Sequence, residues 1–377
     1  MPTPQVAQRV SHTHLAFTLA LHRALRGAAC WSPYSVASAL GLAATGARGA
    51  TRDELTALLL GIHGHDELAE HSALLSDAGA LDPADGRGPL IGVANTLWAR
   101  PDLPIRPQFT AELDRWPNGR VRSAPFGTDI EAARKQINAD IADTTHGLIP
   151  ELLGPGTITA QTIATLVNAL YLKVAWRNRF AEGATTDRAF HAPAGPVQVP
   201  TMRLSGKDLG YTATDGWQVV VLPGAGDVEA VVLLPDATHD LATAEAALDA
   251  DTLAALLRGS PLVPVDLYLP RFRVRARADL TSALVGLGVR TMFTDQADFG
   301  GIVAEPMAVE GVRHEAVLTV DEQGLEGAAA TAMVFRALSM RMPVAEPIVV
   351  RVDRPFLFVV RHRPTGAIYF LARVTRP

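Results

Sequence analysis

Apolar residues are spaced at helical intervals in the first part of the chain and gather into short strand-like runs in the rest, which constrains the fold more than any other feature. Leu15, Leu19, Leu21 and Leu25 weight one helical face. After a break at Ser32-Pro33, Val36, Ala39, Leu40 and Ala43 do the same on a helix rich in small residues. Thr51-Arg52-Asp53-Glu54 reads as a capping box opening a third helix. A polar loop at residues 77–89 precedes a strand at 91–98, and Ala133, Ile137 and Ile141 predict a helix over 130–144. From Thr162 a near-continuous apolar run (Ile163, Leu166, Val167, Leu170, Tyr171, Leu172) fits a central strand covered on both faces. Further strands are expected at 218–222, 229–234, 265–274, 316–320, 348–352, 356–361 and 367–374. Helices first and strands later point to an α+β fold with a large, mostly antiparallel sheet. A length of 377 residues would suggest two or three domains. With no repeat, charge block or long linker, one domain over residues 1–377 is the reading.

Composition removes several function classes. With 34 Lys and Arg against 39 Asp and Glu, the net charge of −5 argues against a nucleic-acid or anionic-membrane binder. Cys30 is the only cysteine, which excludes an internal disulfide framework and a multi-cysteine metal centre, and its apolar surroundings mark it as a small core residue. No apolar run is long enough for a membrane span, and the first residues read as an amphipathic helix rather than a leader, so a cytoplasmic protein is expected. G-x-S-x-G and phosphate-loop motifs are absent. His314-Glu315 opens like a zinc-protease motif, but Leu318 stands where the second histidine is needed, and no metal is expected there. His63, His65 and His71 read as solvated loop and helix-surface histidines, and Gly224-Ala225-Gly226 as a turn.

The segment at 321–347 is unusual for a loop. It runs DEQGLEGAAATAMVFRALSMRMP with no proline before Pro343 and no asparagine. At a period of two, Leu325, Gly327, Ala329, Thr331, Met333 and Phe335 share an uncharged face. Glu326, Ala328, Ala330, Ala332, Val334 and Arg336 share the other, charged only near its ends. Such a segment suits a middle strand held in reserve; an alanine-rich loop or a short helix fits the periodicity as well.

Here the chain resembles a serpin. Asp321-Glu322-Gln323-Gly324, Glu326 and the small residues after it are similar to the hinge of that family's reactive-centre loop. Ser32-Pro33-Tyr34-Ser35 with Gly46 resembles its shutter, and Asn168-Ala169-Leu170-Tyr171-Leu172-Lys173-Val174-Ala175-Trp176 with Phe180 resembles its N-A-x-x-F-K-x-x-W strand. Phe190-His191, Val199-Pro200-Thr201-Met202, Leu234-Pro235-Asp236, Leu269-Pro270-Arg271-Phe272, Asp279-Leu280 with Leu287-Gly288, His314-Glu315-Ala316, residues 354–358 and residues 366–374 follow in the family's order.

The resemblance implies a single domain of about eight or nine helices around three mainly antiparallel sheets, with an exposed reactive-centre loop at about 322–347. It implies a suicide-substrate inhibitor, not an enzyme. A serine protease attacks the loop, and the cleaved loop inserts into the main sheet with the acyl-enzyme attached. Hinge residues are then Glu322, Gly324, Leu325, Glu326, Gly327, Ala328, Ala329 and Ala330; the shutter is Ser32, Ser35, Asn168 and His314; the breach is Lys173 and Trp176. Family spacing from Glu322 puts the reactive bond at Leu338-Ser339, implying a chymotrypsin-, elastase- or subtilisin-like target; Arg336 or Arg341 would instead suit a trypsin-like one. Leu325 stands where inhibitory members usually carry a small or hydroxylated residue, and Gly327 where alanine is customary, so a non-inhibitory carrier, chaperone or storage protein is the alternative. No basic helix appears between Asp66 and Leu103, so no heparin-like cofactor is expected; a monomer with no cofactor, metal, nucleic-acid or membrane partner completes the reading.

Overall fold

The computed structural model describes residues 4–25, 27–61, 66–81, 89–325 and 346–377. The chain opens with α1 (Pro4–Ala24), β1 (Cys30–Trp31), α2 (Pro33–Gly46), α3 (Gly49–Leu60) and α4 (Asp66–Gly79). Then come β2 (Leu90–Ala99), α5 (Pro107–Leu113), β3 (Gly119–Ser123), α6 (Ile130–Thr144) and β4 (Ala164–Ala175). A strand-rich stretch follows: β5 (Thr186–Ala192), β6 (Gly195–Thr214), β7 (Trp217–Pro223), β8 (Val228–Pro235), α7 (Leu241–Ala247), α8 (Ala250–Leu256), β9 (Leu262–Pro270) and β10 (Phe272–Asp279). The last elements are α9 (Thr281–Gly286), β11 (Arg313–Val320), β12 (Gly324–Leu325), β13 (Ile348–Arg351), β14 (Phe356–His362) and β15 (Ile368–Val374).

Among the described residues, nine strands form one sheet in the order β1-β15-β14-β8-β7-β6-β9-β13, with β5 also paired to β6. The 20-residue β6 joins two halves of it, pairing with β5 and β9 near its start and with β7 at its end. Six more strands follow the order β10-β11-β12-β4-β2-β3. Ladders are antiparallel except β2–β3 and β9–β13.

The six-stranded sheet is the layer that positions the site, and β4 shows why. Leu170, Leu172 and Val174 face the main core, while Val167 and Ala169 face a second core that Ala133, Ile137 and Ile141 of α6 close from outside. Burial on both faces explains the continuous apolar run read from the sequence. The helix α6 lies tight on β2: a Cβ on Gly92 would come within 2.7 Å of the Thr144 carbonyl oxygen. Its start is capped as its sequence dictates, the Ala132 N–H donating to Asp129 at 2.9 Å.

Three expectations are corrected. The single strand expected at 265–274 is two, β9 and β10, in different sheets, because the chain changes sheet at Arg271, whose N–H donates to the Pro200 carbonyl oxygen at 2.8 Å. The capping box does not form: α3 begins at Gly49, Thr51 accepts from the Asp298 N–H, and Glu54 accepts from Arg290 and Thr291 across the fold. Buried His71 packs 5.8 Å from the ring of His14 on α1, so it is not a surface histidine; His63 and His65 lie outside the described residues. Strand β6 was not foreseen at all.

Candidate functional site

Asp321 turns the chain at the end of β11. Its carboxylate accepts the N–H groups of Gln323 (2.9 Å) and Gly324 (3.1 Å), and its own N–H donates to the Gly324 carbonyl oxygen. The chain thereby doubles back as β12, a strand of two residues. Gly324 pairs with Ala175 and Leu325 with Val174 on one side, and Leu325 pairs with Val320 on the other. Only glycine fits at 324, since an added Cβ would lie 2.0 Å from the Val174 carbonyl oxygen. Leu325 is 1% exposed and belongs to the main core.

Trp176, buried at the end of β4, fastens this turn. Its indole N–H donates to the Asp321 carbonyl oxygen (2.8 Å) and its backbone N–H to that of Gln323 (2.9 Å). Lys173 lies on the same strand, half-buried and opposite Leu90. Glu322 is 4% exposed; its carboxylate accepts from Thr185 at 2.6 Å and pairs with Arg271. Burial alone would raise this carboxyl, but the bonds from Arg271 and Thr185 outweigh it and hold it below the usual range.

Below the turn the sheet is parted. Among the described residues β4 and β11 share no ladder, and β12 stands between them. At mid-height the polar residues of the two strands are tied to α2 rather than to each other. The Ser35 hydroxyl donates to Asn168 of β4, and the Ser32 N–H donates to Nε2 of His314 on β11 at 3.0 Å. Burial pushes the His314 imidazole down to about 4, so it is a neutral acceptor at pH 7. Asn95 on β2 donates to Ser38 of α2 beside them. Farther down, a cavity of about 700 Å³ opens between α2 (Leu40, Ala43), the start of β4 (Leu166, Val167) and the approach to β11 (Met307, Val309).

The residues named from the sequence fall into two groups in the structure. Ser32, Ser35, Asn168 and His314 come together around the start of α2, and Trp176, Glu322, Gly324 and Leu325 at the turn. Thr185, Arg271 and Asp321, which hold the turn, and Ser38 with Asn95, were missed as site residues; Thr185 and Arg271 meet Glu322, and Ser38 meets Asn95, across long stretches of chain that no local pattern links. Glu326, Gly327, Ala328, Ala329, Ala330, Leu338 and Ser339 lie outside the described residues, as do Arg336 and Arg341.

The sequence model of the family described as Serpin (serine protease inhibitor) matches residues 12–377. The chain belongs to the serpin family. Leukocyte elastase inhibitor of Sus scrofa is 32% identical over 385 residues, covering 98% of this chain and 100% of that protein. Serpin B8 of Homo sapiens is 32% identical over 353 residues, 92% of each. Serpin48 of the insect Tenebrio molitor superposes with a TM-score of 0.83 over 100% of this chain and 99% of its own, at 24% identity, a likeness of fold. As a serpin the chain is a protease inhibitor and not an enzyme.

Proposed function

We propose that this serpin traps a serine protease of apolar primary specificity by inserting its cleaved loop between β4 and β11. The observation that carries the reading is Leu325, already buried as the second residue of a two-residue strand between them. The protease serine would attack the Leu338 carbonyl carbon, and the amine of Ser339 would leave with the transferred proton, giving an ester between Leu338 and the protease.

Register predicts where the freed tether goes. Leu325 pairs with Val174 in an antiparallel ladder, so extending it step by step puts residue 335 opposite Ala164, the first residue of β4. Leu338, thirteen residues beyond Leu325, would then lie past the far end of the sheet, about 43 Å from Leu325 at roughly 3.3 Å per residue. The alternation follows Leu325: Gly327, Ala329, Thr331, Met333 and Phe335 would face the main core, with Met333 and Phe335 nearest the 700 Å³ cavity. In the inserted strand Glu326 would enter above α6, while Ala328, Ala330 and Ala332 would pass beneath it, where little room is left for larger side chains. Apolar burial at about 25 cal/mol per Å² and a new ladder on each side drive the movement.

The seating of Leu325 favours this over a carrier, chaperone or storage role, because the anomalous residue already has a buried place in the sheet. Chymotrypsin-, elastase- and subtilisin-type proteases incubated with the protein should each be scored for an SDS-stable complex, with the cut mapped by mass spectrometry. A complex with new chain ends at Leu338 and Ser339 is expected; clean cleavage without a complex overturns the reading, and a cut after Arg336 or Arg341 moves the target to the trypsin-like class.

A further inference from the structure

Strand β13, into which the reactive loop runs, carries part of a second constellation. In the register of the nine-stranded sheet Arg351 of β13 lies opposite Tyr268 of β9, and Tyr268 lies opposite Arg203 of β6. The three therefore form one cross-strand row on one face, and Arg188 of β5 joins it from the adjoining strand. Their guanidinium carbons lie 4.5 Å (Arg188), 5.4 Å (Arg203) and 5.5 Å (Arg351) from the Tyr268 ring centre, so no two are farther apart than twice the longest of these. Three cations crowd one aromatic ring beside a cavity of about 380 Å³ lined also by Gln198 and Thr201.

The charges at this face do not balance. Asp266 pairs with Arg203 at 3.0 Å and is further occupied by Ser205 and the Gly206 N–H. Asp353 pairs with Arg354, and Asp187 lines the same cavity but forms no ion pair with Arg188 or Arg351 among the described residues. Among the described residues Arg188 and Arg351 have no carboxylate partner, and the Nε–H of Arg203 has no acceptor. The ring gathers the three guanidiniums, and the N–H donors of exposed Arg188 and Arg351 are placed to take carboxylates in forked pairs.

We propose that Arg188, Arg203 and Arg351, held on Tyr268, form a docking site for an acidic surface segment of the target protease. The inference rests on the inhibitory reading above and adds the chemistry of the partner. A protease bound at the loop lies next to β13, and two arginines without carboxylate partners there, Arg188 and Arg351, would steer its approach without taking part in trapping.

Two measurements test this. A fluorescently labelled decaglutamate peptide, titrated at low salt, should bind the Arg188→Gln/Arg351→Gln variant about fivefold or more weakly than the unaltered protein; equal binding overturns the site. Both residues are exposed, and an unchanged melting temperature confirms that the variant is folded. The rate of complex formation with the protease found above is then followed from about 0.01 to about 1 M salt, a range that shortens the Debye length from about 30 to about 3 Å. The account expects the variant to associate about fivefold or more slowly at low salt, with a flatter salt dependence and an unchanged stoichiometry of inhibition. Peptide binding lost but rates unchanged would overturn the protease as occupant. Absence of any covalent complex would instead overturn the inhibitory reading, and with it the protease, while the peptide titration still decides whether the site exists.

Discussion

Replacing Gly324 by alanine should turn the inhibitor into a substrate. An ideal Cβ at 324 would sit 2.0 Å from the Val174 carbonyl oxygen and 2.9 Å from both the Val174 carbonyl carbon and the Ala175 Cα. All three are backbone atoms at the end of β4, whose residues 164–173 are laddered to β2, so they cannot move far without bending that ladder. The alanine must therefore push β12 out of register by about an ångström or more, which breaks the pairing of Leu325 with both neighbours. Overpacking of this kind costs about 1–3 kcal/mol. Charged against the first step of insertion, that slows it roughly 5- to 150-fold at 1.36 kcal/mol per decade, while hydrolysis of the acyl-enzyme proceeds unchanged. Titrating a fixed amount of protease with each protein should show many more moles of variant consumed per mole inhibited, with the excess recovered as cleaved chain. A variant that traps at the unaltered stoichiometry would refute the claim that β12 is the first inserted segment.

Leu338→Arg should abolish trapping of the apolar-specificity protease and create a covalent complex with trypsin, read on denaturing gels; retained inhibition of the original target would move the reactive bond elsewhere. Acid should loosen the fold. His14, His71 and His314 are buried neutral, with burial the main cause pushing them to about 3, about 4 and about 4. Their folded values lie below the unfolded 6.5, so the full stability is present above pH 6.5 and is lost as the pH falls from there toward 4. By pH 5 each costs about 2 kcal/mol; the urea midpoint should therefore drop between pH 7.5 and 5, and His71→Leu should shrink that drop. Asn168→Ala removes the acceptor of the Ser35 hydroxyl in a buried site and should destabilise the protein by about 1–3 kcal/mol in urea unfolding; no change would mean that the contact contributes nothing to the resting state.

What was legible in the sequence was what local pattern controls. The helix at 130–144 was placed to the residue because Ala133, Ile137 and Ile141 repeat at helical spacing and share one buried face. The twelve residues of β4 showed as a strand because both faces are buried. The 20-residue β6 escaped notice because Pro196, Pro200, Gly206 and Gly210 punctuate it like turns, and its partners change along its length. Thr51 and Glu54 have the spacing of a helix cap, yet tertiary bonds to 290, 291 and 298 claim both. His71 was misplaced because nothing in its neighbourhood shows that α1 covers that side of α4. The hinge was found through family likeness; periodicity allowed a strand, a loop or a helix. That Leu325 would be buried depended on the gap between β4 and β11, a property of the assembled sheet.

The central claim is that the loop relaxes into the six-stranded sheet once cut, and thermal unfolding before and after a single cleavage at Leu338-Ser339 tests it most directly. The account predicts a melting temperature raised by roughly 10 °C or more, because a full strand joins the ladders of β4 and β11. A cleaved protein that melts at or below the temperature of the intact chain would contradict it.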